Sequence, residues 1–292
     1  MNPLLPALAL AFNALVWGVS WWPFRALEAR GLHALWATAL IFVFALCCLL
    51  VARPGAWRGF AGRPLLWVLM LATGMTNAAF NWAVTEGDVV RVVLLFYLMP
   101  AWSVALAWPM LGEKPTLASL LRVALALAGV AVVLKAPGMA WPVPSGLADW
   151  LAVLGGFGFA LTNILLRRLA DVPTASRVMA MFSGGAVVGC LAAVLGVTQG
   201  WVAPLPVAAL SWLLIAGALA ISFMASNLAL QYGASRLSAH ASSLIMLSEV
   251  IFASLSAVAL GAADISGRTL AGGALILLAA VLSAWPSRPA PH

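Results

Sequence analysis

Two asparagines four residues apart, Asn77 and Asn81, and one glutamate, Glu249, are the polar groups of this 292-residue chain set deepest in apolar surroundings. A spacing of four puts both amides on one helix face, which also carries Met70 and Gly74. An amide offers donors and an acceptor, so the pair suits a ligand bearing both an ammonium and a carboxylate. Glu249 is the one carboxylate far from any span end, and such a group is by default a functional candidate able to hold a proton or a substrate ammonium. Pro100 lacks an N–H and frees the carbonyl of Phe96, so a kink is expected there, flanked by Tyr97 and Trp102. Trp17 shares a face with Asn13, Ser20 and Phe24, and Ser242 shares an arc with Ser235, Ser238, Glu249 and Ser256. Asn163 and Asn227 complete the expected substrate-binding set of Trp17, Asn77, Asn81, Tyr97, Trp102, Asn163, Asn227 and Ser242. The competing role for these groups is helix–helix glue, worth about 0.6 kcal/mol each.

Nothing in the set does covalent chemistry. His33 falls in a loop, His292 is terminal and His240 faces away from the serine arc. The chain has no Gly-x-Ser-x-Gly elbow, His-Glu-x-x-His motif or phosphate-binding loop. Cys47 and Cys48 are adjacent and Cys190 is distant, which is neither a metal spacing nor a disulfide framework. No catalytic residue, metal or cofactor is therefore expected. Because Arg91, Arg122 and Arg268 fall near span ends, a strongly anionic ligand is disfavoured. A wall of aromatic and aliphatic groups with a few amides suits a zwitterion with an apolar side chain.

The elements that must position these groups follow from composition. Of the residues, 64% are hydrophobic and 8% charged, against about a quarter charged in soluble domains. Apolar stretches near 4–24, 32–52, 64–85, 89–110, 117–135, 147–167, 175–196, 208–230, 237–260 and 268–285 predict ten transmembrane helices, each needing roughly 20 residues. The first lacks the basic flank and small-residue cleavage site of a signal peptide, so it reads as a retained span. The net charge of +7 is dispersed between spans with no basic stripe, so a lipid bilayer, not nucleic acid, is the expected partner. Gly185 and Gly189 make a single small-xxx-small pair, suited to close helix packing. On its own it does not build a dimer, and a monomer is expected.

A weak internal repeat divides the chain. Asn81 to Val84 before Gly87 matches Asn227 to Leu230 before Gly233, Leu111-Gly112 matches Leu260-Gly261, and Trp17-Gly18 matches Phe157-Gly158. Five spans per half is an odd number, so residues 1–136 and 137–292 form two five-helix repeats inverted across the membrane, the plan expected around an alternately exposed site. Trp17-Gly18, the five-plus-five plan and Leu111-Gly112-Glu113-Lys114-Pro115 together resemble the EamA branch of the drug/metabolite transporter superfamily, and most of all its bacterial aromatic amino-acid exporters. The resemblance implies a multi-pass protein of the bacterial inner membrane that exports amino acids, aromatic and other apolar ones foremost. Alternatives are export of other small metabolites or drugs, or a non-transport intramembrane enzyme. The motif itself reads as a tight turn, with Gly112 closing one helix and Pro115 in the first turn of the next. Ala262 replaces its Glu in the second half.

With both termini cytoplasmic, Arg53, Arg58, Arg63, Lys114, Arg122, Arg167, Arg168, Arg177, Arg236 and Arg288 lie inside, ten of the fifteen basic residues. The positive-inside rule favours that orientation. Reporters fused at either terminus are therefore expected to be active in the cytoplasm, and a C-terminal fusion active only in the periplasm would overturn it.

Overall fold

The computed structural model describes residues 4–60, 62–135, 143–234, 236–237, 242, 245–263 and 266–284. Ser235, Ser238, His240, Arg288 and His292 lie outside them. All regular structure among the described residues is helical: α1 (Leu4–Val19), α2 (Trp21–Glu28), α3 (Ala34–Ala52), α4 (Pro64–Glu86), α5 (Val89–Phe96), α6 (Met99–Leu111), α7 (Leu117–Leu134), α8 (Leu147–Arg168), α9 (Thr174–Thr198), α10 (Leu210–Ala234), α11 (Ser248–Ala259) and α12 (Gly267–Ala284). Seven segments are long and apolar enough to cross a membrane: Leu4–Glu28, Ala34–Ala52, Val89–Leu111, Leu117–Leu134, Leu147–Arg168, Thr174–Thr198 and Leu210–Gly233. This is a multi-pass membrane protein. The other three expected positions hold α4, α11 and α12. Helix α4 is long but less apolar, diluted by Thr73, Thr76, Asn77, Asn81 and Glu86.

Two expected spans are broken. The break predicted at Pro100 falls one turn earlier, between α5 and α6, and Pro100 takes a place in the first turn of α6, where its missing N–H costs no helical bond. In the second half the sequence reads as one continuous span from 237 to 260, whereas the structure starts α11 afresh after a turn at Leu247. Ser248 Oγ donates to the Ile245 carbonyl at 2.6 Å, a side chain competing with the backbone ladder. Span one also bends, at Ser20, whose hydroxyl donates to the Trp17 carbonyl at 2.7 Å.

The loop after α6 refines the motif reading. Gly112 ends α6 at φ 73°, a left-handed conformation suited to glycine. Pro115 is not in the first turn of α7 but precedes its cap: Thr116 accepts from the Ser119 N–H at 3.1 Å, while the Ser119 hydroxyl accepts from Thr116 N–H at 2.8 Å.

The largest buried cluster lies at the end of the bundle where α5 begins. Val89 to Leu98, Arg91 excepted, are all buried, as expected of a helix apolar on every side. Polar ties close the same end. Arg91 donates to both Asp149 oxygens at 2.8 and 2.7 Å and to the Val133 carbonyl at 3.0 Å. Arg25 donates to the Val84 carbonyl at 2.9 Å, and Trp21 Nε1 donates to Ser256 Oγ at 2.9 Å. Trp67, Trp108, Trp150 and Trp201 are exposed as interfacial anchors should be, whereas Trp212 is buried, with its indole N–H on the Val207 carbonyl. Gly185 and Gly189 pack inward against Phe42 and Leu35 of α3.

His33, expected in a loop, caps α3: its Nδ1 accepts from the Leu35 N–H at 3.2 Å. Burial holds its pKa below the ordinary imidazole value, against the opposite pull of Glu28 and Glu86. The folded state thus prefers neutral His33, so its contribution is complete above the ordinary imidazole range and is lost as pH falls through it. Acidifying the detergent-solubilised protein from about pH 7 to about pH 5 is expected to lower its thermal midpoint. His33→Asn keeps a capping acceptor without titrating and should flatten that slope; equal slopes in both proteins would refute the assignment.

Candidate functional site

A cavity of ≈ 720 Å³ runs through the middle of the bundle. Its wall takes residues from every expected span, and helical spacing explains which. In α6, Met99, Pro100, Ser103, Val104 and Ala107 form one stripe at spacings of three and four. Helix α4 contributes Thr73, Thr76, Asn77 and Phe80 in the same manner. At one end the wall reaches exposed Glu113 and Arg167, which pair with each other. At the other end it stops at Phe80 and Phe96, within the buried cluster closed by Arg91 and Asp149. Among the described residues, the wall thus runs from exposed groups at the Glu113 and Arg167 end to buried ones at the other.

Seven of the nine residues singled out from sequence stand on this wall: Trp17, Asn77, Tyr97, Asn163, Asn227, Ser242 and Glu249. Trp17 stacks on Phe223 with centroids 4.4 Å apart and planes at 18°. The Tyr97 hydroxyl is 3.5 Å from both Glu249 Oε2 and the Met246 carbonyl. Glu249 occupies the first turn of α11, where the helix dipole favours a carboxylate. Asn77 donates to the Thr73 carbonyl of its own helix at 2.8 Å, leaving its side-chain oxygen to a ligand. Asn227 Oδ1 accepts from Gln231 at 2.7 Å.

Asn81 and Trp102 are off the wall. Asn81 is fully buried and donates to Thr38 of α3 at 2.9 Å, because α4 passes beyond the cavity into the closed end within one turn. Trp102 lies outside the α6 stripe and meets Phe157 of α8 edge-on at 5.5 Å. Residues that sequence reasoning left out of the set include Asn13, Thr162, Phe223 and Arg122. Asn13 was findable, being four residues before Trp17. Arg122, expected at a span end away from the ligand, lines the mouth because it follows the cap of α7 by only six residues.

Glu28, His33 and Glu86 bring ligand atoms within 4.8 Å of one another, outside the cavity. With Nδ1 of His33 accepting a backbone N–H, the neutral ring carries its proton on Nε2, so that atom, which has no hydrogen-bond partner, is protonated and not a metal ligand. The cavity's own groups are amides, hydroxyls, aromatic faces and one deep carboxylate, a binding chemistry.

Residues 4–135 match the EamA-like transporter family. Among solved structures, one described only as a crystal structure of a protein is 21% identical over 95% of each chain, with a TM-score of 0.56. At that identity the likeness establishes a shared fold along the chain's length. No curated protein matches the sequence.

The two asparagines now separate. Asn77→Ala is expected to weaken ligand binding several-fold without changing the thermal midpoint, whereas Asn81→Ala should cost about 0.6 to 1.7 kcal/mol of stability, the range for interhelical polar contacts, and leave affinity intact. Binding calorimetry and thermal melts of the two variants in detergent test this, and the reverse assignment of effects would refute it.

Proposed function

We propose that this chain is a secondary transporter that exports amino acids, aromatic and other apolar ones foremost, across a bacterial inner membrane by alternating access. The match of residues 4–135 to a transporter family supports the class. The observation that carries the mechanism is the one-sided cavity: an interior site open beside Glu113 and Arg167 and sealed where Arg91 holds Asp149. In the orientation favoured by the basic residues, the open side is the cytoplasm, from which an exporter loads. Aromatic lining from Trp17, Tyr97, Phe159 and Phe223, with amides among it, suits an apolar amino-acid side chain and its polar backbone.

Ten spans as two inverted repeats, residues 1–136 and 137–292, fit several features. The helix breaks at Leu98 and Leu247 are 149 residues apart, as are the left-handed glycines Gly112 and Gly261. Helix α4 packs on α8 as α10 packs on α1, and α6 meets α8 as α11 meets α1. Helices α3 and α9 pair, as do α7 and α12, where Gly129 and Gly272 each face the other's carbonyl. Exchanging the halves leaves this pattern unchanged, which is the relation expected of repeats that rock about a shared site.

In proteoliposomes, labelled phenylalanine, tryptophan, tyrosine and leucine are expected to enter saturably and to exchange with unlabelled amino acid inside. Running the panel with and without a pH gradient identifies the coupling. Flux without saturation or exchange would point to a channel and overturn alternating access; saturable transport restricted to other metabolites would overturn the substrate.

A further inference from the structure

We infer that the cavity recognises its ligand through an amine and offers no cation to a carboxylate at depth, so that aromatic monoamines are ligands in their own right. This deepens the transport reading and rests on it for the identity of the cavity. Four charged residues line the wall. Glu113 and Arg167 are paired at the mouth, and Arg122 stands near the start of α7 at the same end. Deep in the cavity Glu249 is the one charged group among the described residues.

Half-helix N-termini at a transporter's midplane are where substrate carboxylates are commonly received, on free backbone N–H groups. Both such termini here are poorly suited to that use. In α6, Pro100 has no N–H, and the N–H groups of Ala101 and Trp102 already donate to the Leu98 carbonyl at 2.9 and 3.3 Å. In α11, the Val250 N–H donates to the Leu247 carbonyl at 3.2 Å, and the first turn carries Glu249, which repels an anion.

Of the remaining polar atoms, one can only accept and two are hydroxyls that accept as well as donate. The Asn13 amide nitrogen donates to the Ser226 carbonyl at 3.0 Å and to Ser226 Oγ at 2.6 Å. A carbonyl only accepts, so the orientation of that amide is settled and its oxygen, an acceptor, is left without a protein partner. Thr162 Oγ1 and Ser242 Oγ are likewise buried on the wall without one. An ammonium brings three donors and a positive charge to meet the Glu249 carboxyl, while the stacked pair Trp17 and Phe223 flanks an aromatic body. A carboxylate at depth would find hydroxyl and amide donors but no cation among the described residues.

The test is calorimetric binding to the purified full chain in detergent with three probes: phenylalanine, 2-phenylethylamine, which lacks the carboxylate, and 3-phenylpropionate, which lacks the amine. The expected ranking puts 2-phenylethylamine within about tenfold of phenylalanine and 3-phenylpropionate far weaker, because a hydrogen-bonded charged contact is worth about tenfold to a hundredfold. Glu249→Gln should weaken both amines by a similar factor, and Glu249→Asp should retain part of the binding. If a variant does not remain monodisperse, the wild-type ranking decides. Binding of 3-phenylpropionate as tight as that of the amine, or indifference of both amines to Glu249→Gln in folded protein, overturns the inference. Amine binding with no amino-acid uptake in proteoliposomes would instead leave the amine site standing and remove the amino-acid transport reading, whereas uptake of amino acids without amine binding removes this inference alone.

Discussion

No water reaches the hydrocarbon interior to satisfy an open backbone group, and that constraint decides where a membrane helix can be interrupted. The two breaks at Leu98 and Leu247 are each covered by a neighbouring helix at a glycine. A side chain at Gly156 would put its Cβ 2.5 Å from the Phe96 carbonyl oxygen, and one at Gly18 would put its Cβ 2.7 Å from that of Glu249. Backbone contact this close shields the irregular turns from lipid on one side. On the other side the same turns present Tyr97, Met99, Pro100, Leu247 and Glu249 to the cavity. The site thus exists where the regular ladder stops, because an interruption is tolerated only where it is packed in protein or lines a polar space.

Helix α8 is fastened to the broken α5–α6 segment at both ends. Asp149 holds Arg91 near the closed end, and Arg167 holds Glu113 near the mouth. The Glu of the Leu-Gly-Glu motif therefore has a structural partner, and Ala262 at the corresponding place in the second half leaves the equivalent tie unmade. The two pairs differ in weight. Glu113 and Arg167 are exposed, and such pairs contribute about 0 to 1 kcal/mol. Arg91 and Asp149 form a bidentate, largely buried contact, and removing one partner would strand a charge, a loss of about 3 to 5 kcal/mol. The closed end is accordingly the strongly held one, and the mouth is bounded by contacts that water can replace.

Asn77 and Asn81 illustrate how little separates a place on the cavity wall from a contact between helices. They share a helix face and differ by one turn, a rise of about 6 Å. That rise carries α4 from the polar cavity into the closed end, where an amide must find a partner, and Asn81 takes Thr38. The wheel gives direction around a helix and nothing about the depth at which a neighbouring cavity ends.

Composition and hydrophobic run length by themselves determined that the chain is an all-helical membrane protein, because burying so many apolar residues in an unbroken series of long segments has no other solution in water. The break near Pro100 was also legible, since a missing N–H acts locally. That seven of nine candidate residues line the cavity has a similar reason: a polar side chain at membrane depth is costly unless it faces an interior space. The break at Leu247 carries no proline and lies where α1 approaches closely at Gly18. The closure of one end, the position of Arg122 on the wall, the loss of Asn81 and Trp102 from it, and the orientation of the Asn13 amide came only with the tertiary structure. Each depends on which residues from distant segments meet, and a single chain's periodicity records the face a residue takes on its own helix but not what stands opposite.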